Sequence, residues 1–335
     1  MKTTILGGGS WGTALARELG NKGEDITHYI RRQEQIDDIL KNHENTRYLK
    51  GVKLPENIKY ESDLEKSIEN SDVIVFAVPT NSVRKVCEEL KGKVSEDVIL
   101  VNVAKGIEQN TLKRISEIIG EFFPENRFVV LSGPSHAEEV GLDYPTTIVS
   151  ASLDLEAAKV IQDLFMTDTL RIYINEDLIG VELAGALKNV IALGNGIIVG
   201  RGFGDNTTAA LMTRGMAEIT RLGTAMGANP TTFLGLAGMG DLIVTCGSTH
   251  SRNRTCGELI GKGYSIDEAI EKVGMVVEGI KTTHAVNRLS KDYNVDMPIS
   301  NTLYKILYED LAIEDSVNIL MNRKKKHEID SNIRG

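Results

Sequence analysis

The sequence predicts an α/β chain: an N-terminal Rossmann-type parallel sheet domain over 1–178, followed by an all-helical C-terminal domain over 179–335. Three observations carry this. Short β-branched apolar runs alternate with helical periodicity through the first half. The first run is followed at once by glycines at 7, 9 and 12. From about Ile179 the strand-like runs stop and long helical patterns take over.

In chain order, Thr3 to Leu6 is the first expected strand, and Ser10 is placed as cap of a helix running from Trp11 to Leu19, with Ala14, Leu15 and Leu19 on its packed face. Further strands are expected at Asp25 to Ile30, Asp72 to Val78, Asp97 to Val103, Arg127 to Gly133, Thr146 to Ser152 and Thr169 to Ile174. Helices such as Ser82 to Leu90 and Thr111 to Ile119 fill the gaps. Apolar strands separated by helices imply a parallel sheet covered on both faces, with ligands beyond the carboxyl ends of its strands. That rule nominates Pro79, Lys105 and Gly133-Pro134-Ser135 as lining residues. The second half reads as helices over Ile179 to Val199, Asn206 to Met226, Thr255 to Lys262, Ser265 to Lys272, Lys281 to Tyr293 and Pro298 to Tyr308. With no low-complexity linker between the halves, an active cleft is expected where they join. The basic run near the C-terminus, Asn322 to Asp330, is expected to be a solvated helix end.

The 335 residues are 41% hydrophobic and 25% charged, the balance of a soluble globular protein. A net charge of -9 argues against nucleic acid or an anionic membrane as partner. Cys87, Cys246 and Cys256 show no metal-ligand spacing and no disulfide framework, so free thiols in a reducing, cytoplasmic setting are expected, with no metal site and no export signal. The most apolar stretch, Ile179 to Gly200, has the length of a membrane span but carries Glu182, Lys188, Asn189 and Asn195, which lipid penalises; a helix buried in protein is expected instead.

The Gly7, Gly9 and Gly12 spacing, between a strand and a helix, is that of a dinucleotide-binding turn: one glycine for the turn, one for approach of the diphosphate, one for helix–strand packing. The free amides and dipole at the helix start suit the anion. An acid at the end of the second strand would hold an NAD ribose; here that strand ends in Arg31 and Arg32. Two guanidiniums match a 2′-phosphate, so NADPH/NADP is favoured, with NADH/NAD also accepted if one arginine only stacks on adenine. Hydride transfer to a ketone needs a proton donor. A lysine serves if burial or a nearby cation lowers its pKa from about 10.4 towards neutrality. Lys188, alone on an apolar helix, is the candidate, and Asn189 beside it could hold a carbonyl. Asp241 and Thr245, four apart, share a face if their segment is helical, where the aspartate could orient Lys188. Ser251, Arg252 and Asn253 offer a hydroxyl, a guanidinium and an amide, as a phosphate site requires.

The stretches GGGSWGTALA, FAVP, AKGIE, SGPSHAEEV, ALKNVIALGNGI, GLAGMGDLIVTC, SRNR and VVEGI, running in order from Gly7 to Ile280, resemble the bacterial NAD(P)-dependent glycerol-3-phosphate dehydrogenases. The resemblance implies interconversion of dihydroxyacetone phosphate and sn-glycerol 3-phosphate, the backbone of phospholipids. It implies Lys188 as general acid/base and substrate contacts at Lys105, Gly133, Ser135, Lys188, Asp241, Ser251, Arg252 and Asn253. Cofactor contacts are implied at Ser10, Trp11, Arg31, Arg32, Lys105, Ala137, Arg252, Val276 and Glu278. It further implies a helical domain like that of 6-phosphogluconate dehydrogenase, and a homodimer. His136, where some members carry phenylalanine, is expected to line the site or support it. Another two-domain dehydrogenase, of the hydroxyacid or 6-phosphogluconate kind, and a non-catalytic NADP-binding sensor are the competing possibilities.

Overall fold

The structure, a computed structural model, describes residues 1–325, 327 and 328. Its densest internal contacts divide the chain into two units. The first comprises Met1–Lys105 and Lys113–Leu178; the second comprises Gly106–Leu112 with the chain from Ile179 onward.

The first unit contains strands β1 (Lys2–Leu6), β2 (Asp25–Tyr29), β3 (Glu44–Asn45), β4 (Leu49–Lys53), β5 (Lys59–Glu61), β6 (Val73–Phe76), β7 (Ile99–Asn102), β8 (Phe128–Ser132), β9 (Thr146–Ala151) and β10 (Leu170–Asn175). Its helices are α1 (Ser10–Asn21), α2 (Gln33–Asn42), α3 (Leu64–Ser67), α4 (Thr80–Leu90), α5 (Ile115–Phe122), α6 (Ala137–Val140) and α7 (Leu155–Phe165). Eight strands form one sheet in the order β10-β9-β8-β7-β6-β1-β2-β5, while β3 and β4 make a small hairpin beside it. The central strands alternate between two cores, as a period of two requires. Ile5, Val73, Val75, Ile99 and Val101 pack on one face with Leu15, Leu19, Ile161 and Phe165 of α1 and α7. Leu6, Ile74, Phe76 and Leu100 pack on the other with Val83, Cys87, Ile115 and Ile118 of α4 and α5.

The sheet departs from the expected all-parallel one at a single joint: β9 runs antiparallel to β8, and β10 follows β9. Apolar content alone does not distinguish the two directions in a strand buried on both sides. Helix α5 starts at Ile115 rather than Thr111, because Gly106–Leu112 belongs to the second unit and Leu112 adopts a left-handed φ of 61°. Strands β3, β4 and β5 were not anticipated; they are short and largely polar, so they carry almost no alternating signal.

The second unit is helical: α8 (Leu178–Gly200), α9 (Asp205–Ala225), a 3₁₀ turn Pro230–Leu234, a π turn Leu236–Gly240, α10 (Asp241–Gly247), α11 (Arg252–Gly261), α12 (Ile266–Val273), α13 (Glu278–Asp292), α14 (Pro298–Tyr308) and α15 (Ile313–Met321). The long apolar α8 passes a length test for a membrane span, yet 83% of its apolar window is buried, as befits the central helix of a core. Leu183, Leu187, Val190, Ile191 and Leu193 meet Phe233, Leu242, Ile260, Val286 and Leu303 there. Against α8 lies α11, backbone to backbone. A Cβ on Gly257 would sit 2.0 Å from the Leu193 carbonyl, one on Gly261 2.3 Å from that of Ile197, and one on Gly196 2.1 Å from that of Arg254. Helix α15 ends at Met321, and Arg323 beyond it pairs with Asp296 at 2.6 Å. The rest of the basic run lies partly outside the described residues.

Candidate functional site

In the first unit, β1 delivers Gly7 to the carboxyl edge of the sheet, at the point where the strand order reverses between β2 and β6. Gly7 has φ 122°, and a Cβ there would lie 2.6 Å from the Ala77 carbonyl. Gly12 packs so closely that its Cβ would meet the Gly7 carbonyl at 2.2 Å. A Cβ on Gly9, by contrast, would touch nothing within 4 Å. Open space therefore faces the middle glycine, where the α1 amides lack helical acceptors. This donor set and clearance fit a dinucleotide diphosphate. Ser10 is the first helical residue and not the cap; Gly9 is the cap residue, with no side-chain bond, so the first-turn donors stay available to an anion. Trp11 packs against the core between α1 and the sheet.

The loop's carbonyls are held from behind. His28, fully buried on β2, lies with Nε2 3.0 Å from the Gly7 carbonyl, which fixes the Nε2–H tautomer. Burial pushes its pKa down to about 4, against the smaller upward pull of that bond, so the ring is neutral at ordinary pH. The Gly8 carbonyl accepts from Gln35 Nε2 at 2.6 Å and Asn45 Nδ2 at 3.1 Å. The two arginines after β2 part company. Arg32 donates to Tyr48 Oη at 2.9 Å and Gln35 Oε1 at 3.1 Å. Arg31 is exposed and lines a hollow of about 560 Å³ with Tyr29, Ser62, Asp63, Glu89 and Lys93.

Farther along the same edge, Gly133 follows β8 with φ 144°. Its carbonyl accepts from Lys105 Nζ and from Ser135 Oγ, both at 2.9 Å. Pro79 is the residue before α4, and Ala137 opens α6 just after His136.

In the second unit, the notable feature is a buried ammonium. Lys188 is 5% exposed in mid α8 and donates to Asp241 Oδ1 at 2.7 Å and Thr245 Oγ1 at 2.5 Å. Asp241 and Thr245 are a turn apart on α10, and the threonine hydroxyl donates to the Asp241 carbonyl at 2.5 Å. A charge so buried requires such partners. Ser251 caps α11, its Oγ accepting from the Arg254 amide at 3.2 Å. Asn253 is buried: its Nδ2 donates to Asn189 Oδ1 at 2.9 Å and its Oδ1 accepts from the Gly279 amide at 2.8 Å. Of the three polar residues there, Arg252 alone is exposed, and it has no hydrogen bond or ion pair among the described residues. A guanidinium so placed, at the amino end of a ten-residue helix, has the chemistry to receive an anion. Val276 is 40% exposed and Glu278 is the first residue of α13, adjacent to the Gly279 amide that Asn253 holds.

The structure thus brings Lys188, Asp241 and Thr245 together, and separately Asn189, Asn253 and Gly279. Residues that the sequence did not single out are His28, Gln35, Asn45 and Tyr48. Asn45 sits in a polar stretch without periodicity, so nothing local marked it as fully buried.

Two family models together match almost the whole chain: the NAD-dependent glycerol-3-phosphate dehydrogenase N-terminus over residues 2–158 and the corresponding C-terminus over 177–318. A glycerol-3-phosphate dehydrogenase [NAD(P)+] of Bacillus pumilus is 53% identical over 332 residues, covering 98% of this chain and 96% of that protein. One of Thermoanaerobacter is 53% identical over 329 residues, covering 98% and 99%. The crystal structure of glycerol-3-phosphate dehydrogenase from Coxiella burnetii superposes with a TM-score of 0.93 at 34% identity, over 96% of this chain and 99% of that one. A D-mandelate dehydrogenase structure, at 18% identity and a TM-score of 0.64, shares the fold alone. With a glycine loop fitted to a dinucleotide, a buried Lys188–Asp241 pair and matches of this extent, the chain belongs to the NAD-dependent glycerol-3-phosphate dehydrogenase family.

Proposed function

We infer that this chain is an NAD(P)-dependent glycerol-3-phosphate dehydrogenase that reduces dihydroxyacetone phosphate to sn-glycerol 3-phosphate, reversibly. The buried Lys188 ammonium, held by Asp241 and Thr245, carries the inference. When bound, the nicotinamide supplies a hydride to the substrate's C2. The carbonyl oxygen then needs a proton, and Lys188 Nζ gives it; in the reverse direction the neutral amine takes it back. Asp241 fixes the amine's position and offsets its charge, so little reorganises as the proton moves. Arg252 and the first-turn amides of α11 hold the substrate phosphate, with Ser251 and Asn253 ordering that turn. Lys105, with Gly133 and Ser135 around it, is assigned a substrate contact on the strength of the family motif. Gly7, Gly9, Ser10, Trp11 and Gly12 hold the diphosphate, Arg31 and Arg32 the 2′-phosphate, so NADPH is preferred. Ala137, Val276 and Glu278 keep their assignment as cofactor contacts.

The Lys188→Ala variant should lose turnover while still binding NADPH by fluorescence titration; appreciable residual activity would refute the acid assignment. Assaying NADPH oxidation with dihydroxyacetone phosphate beside 2-keto acids decides between this function and a hydroxyacid dehydrogenase.

A further inference from the structure

Gln35 is a 9% exposed amide in the first turn of α2, between two parts of the nucleotide site. Its Nε2 donates to the Gly8 carbonyl at 2.6 Å, inside the diphosphate loop. Its Oε1 accepts from the Arg32 guanidinium at 3.1 Å. This orientation is fixed by chemistry: turned over, the NH₂ would face the guanidinium and the oxygen would face the Gly8 oxygen. Space is equally committed, because a Cβ on Gly8 would lie 2.8 Å from Nε2. Asn45, fully buried, reinforces the loop end by donating to the Gly8 carbonyl at 3.1 Å and to Thr13 Oγ1 at 2.8 Å. Tyr48 reinforces the other, its hydroxyl accepting from Arg32 and its ring centroid 5.8 Å from the guanidinium carbon.

We propose that Gln35 is a positioning residue for cofactor discrimination, its amide tying the guanidinium that meets the 2′-phosphate to the loop that meets the diphosphate. The proposal rests on Arg32 as a 2′-phosphate contact. A neutral amide suits the task. It orients the guanidinium yet leaves its full charge for the dianion, and it holds the Gly8 carbonyl back from the diphosphate oxygens. A carboxylate at the same place would neutralise Arg32 and repel the Gly8 carbonyl.

The test compares kcat/KM for NADPH and NADH in wild type, Gln35→Glu, Gln35→Met, Arg32→Ala and the Arg32→Ala/Gln35→Glu double variant. Gln35→Glu should lower the NADPH-to-NADH ratio by about tenfold or more, the scale of one charge-assisted contact. Gln35→Met, which loses both bonds without adding charge, should move the ratio in the same direction by less, and it supplies the reading if Gln35→Glu does not fold. KM for dihydroxyacetone phosphate should stay within about twofold, since the change is confined to nucleotide binding. In the Arg32→Ala background the effect of Gln35→Glu on the ratio should vanish, a coupling that a merely structural role would not produce. If Arg32→Ala leaves the ratio unchanged, the 2′-phosphate assignment fails and takes the proposal with it. If Arg32→Ala shifts the ratio and the Gln35 variants do not, or if Gln35→Glu acts equally without Arg32, the proposal alone is overturned.

Discussion

Replacing Gly257 by alanine should damage the enzyme out of proportion to the one methyl added. The new Cβ would lie 2.0 Å from the Leu193 carbonyl oxygen and 3.0 Å from the Gly196 Cα. Ordinary contact begins near 3.4 Å, so the shortfall is 3.4 − 2.0 = 1.4 Å. Both obstacles are helix backbone, and no rotamer change relieves them; α11 itself must move off α8. Alanine would otherwise favour the helix by about 1 kcal/mol over glycine, whereas overpacking of this kind costs about 1–3 kcal/mol. A net loss of up to about 2 kcal/mol is expected from those two figures. The catalytic cost should be larger, because α11 carries Arg252 and α8 carries Lys188: a misplacement of about 1 Å in a site can cost on the order of a hundredfold. Gly120→Ala is the control. That glycine also lies within a helix, α5, but a Cβ there meets nothing within 4 Å, so the variant should gain up to about 1 kcal/mol. Urea unfolding followed by circular dichroism, with kcat/KM for dihydroxyacetone phosphate, reads both effects. If Gly257→Ala proves as stable as Gly120→Ala and as active as wild type, the helix contact does not set the geometry as argued.

Two buried groups give opposite pH dependences. Glu218, 1% exposed on α9, accepts from the Ile299 and Ser300 amides at 2.6 and 3.0 Å and so caps α14; burial outweighs those bonds and raises its pKa to about 7. The folded state thus holds this proton more tightly than the unfolded chain, and stability from Glu218 falls as pH rises from about 4.5 to about 7, by roughly 3 kcal/mol at 1.36 per unit. In thermal melts, wild-type stability relative to Glu218→Gln should decline across that window; a flat difference would contradict the shift. His28 acts the other way. With its folded pKa near 4 against 6.5 unfolded, its contribution is complete above 6.5 and is lost as pH falls towards 4, and His28→Gln should flatten that acid-side loss. Asp241→Asn leaves Lys188 buried beside a neutral amide; about 3–5 kcal/mol of stability should go with the pair, and kcat should drop while NADPH binding persists, measured by melts and by titration. Retention of full kcat would show that Lys188 needs no carboxylate.

The order of helices and strands was legible because the central strands are apolar on both sides and the long helices keep one period throughout. Lys188 stood out because it interrupts an apolar run, and Asp241 and Thr245 because their spacing fits one helix face. What sequence could not convey was pairing across distance. Reading Ser251 and Asn253 as phosphate ligands gave no sign that their side chains also serve within the protein, as a cap and as a bridge from Asn189 to Gly279. Arg31 and Arg32 read as one pair, yet only Arg32 is gripped by Gln35 and Tyr48. The reversal at β9 also left no mark, since apolar alternation is the same in either direction.

That reversal divides labour along the sheet. Because β9 runs back from the edge where Gly7 and Gly133 lie, the turn after it, with Leu153 80% exposed, emerges at the far rim. A fluorophore, an affinity handle or a short insertion grafted at that turn would stand a full strand's length from the nucleotide loop, which makes this corner a place to tether the chain away from that loop.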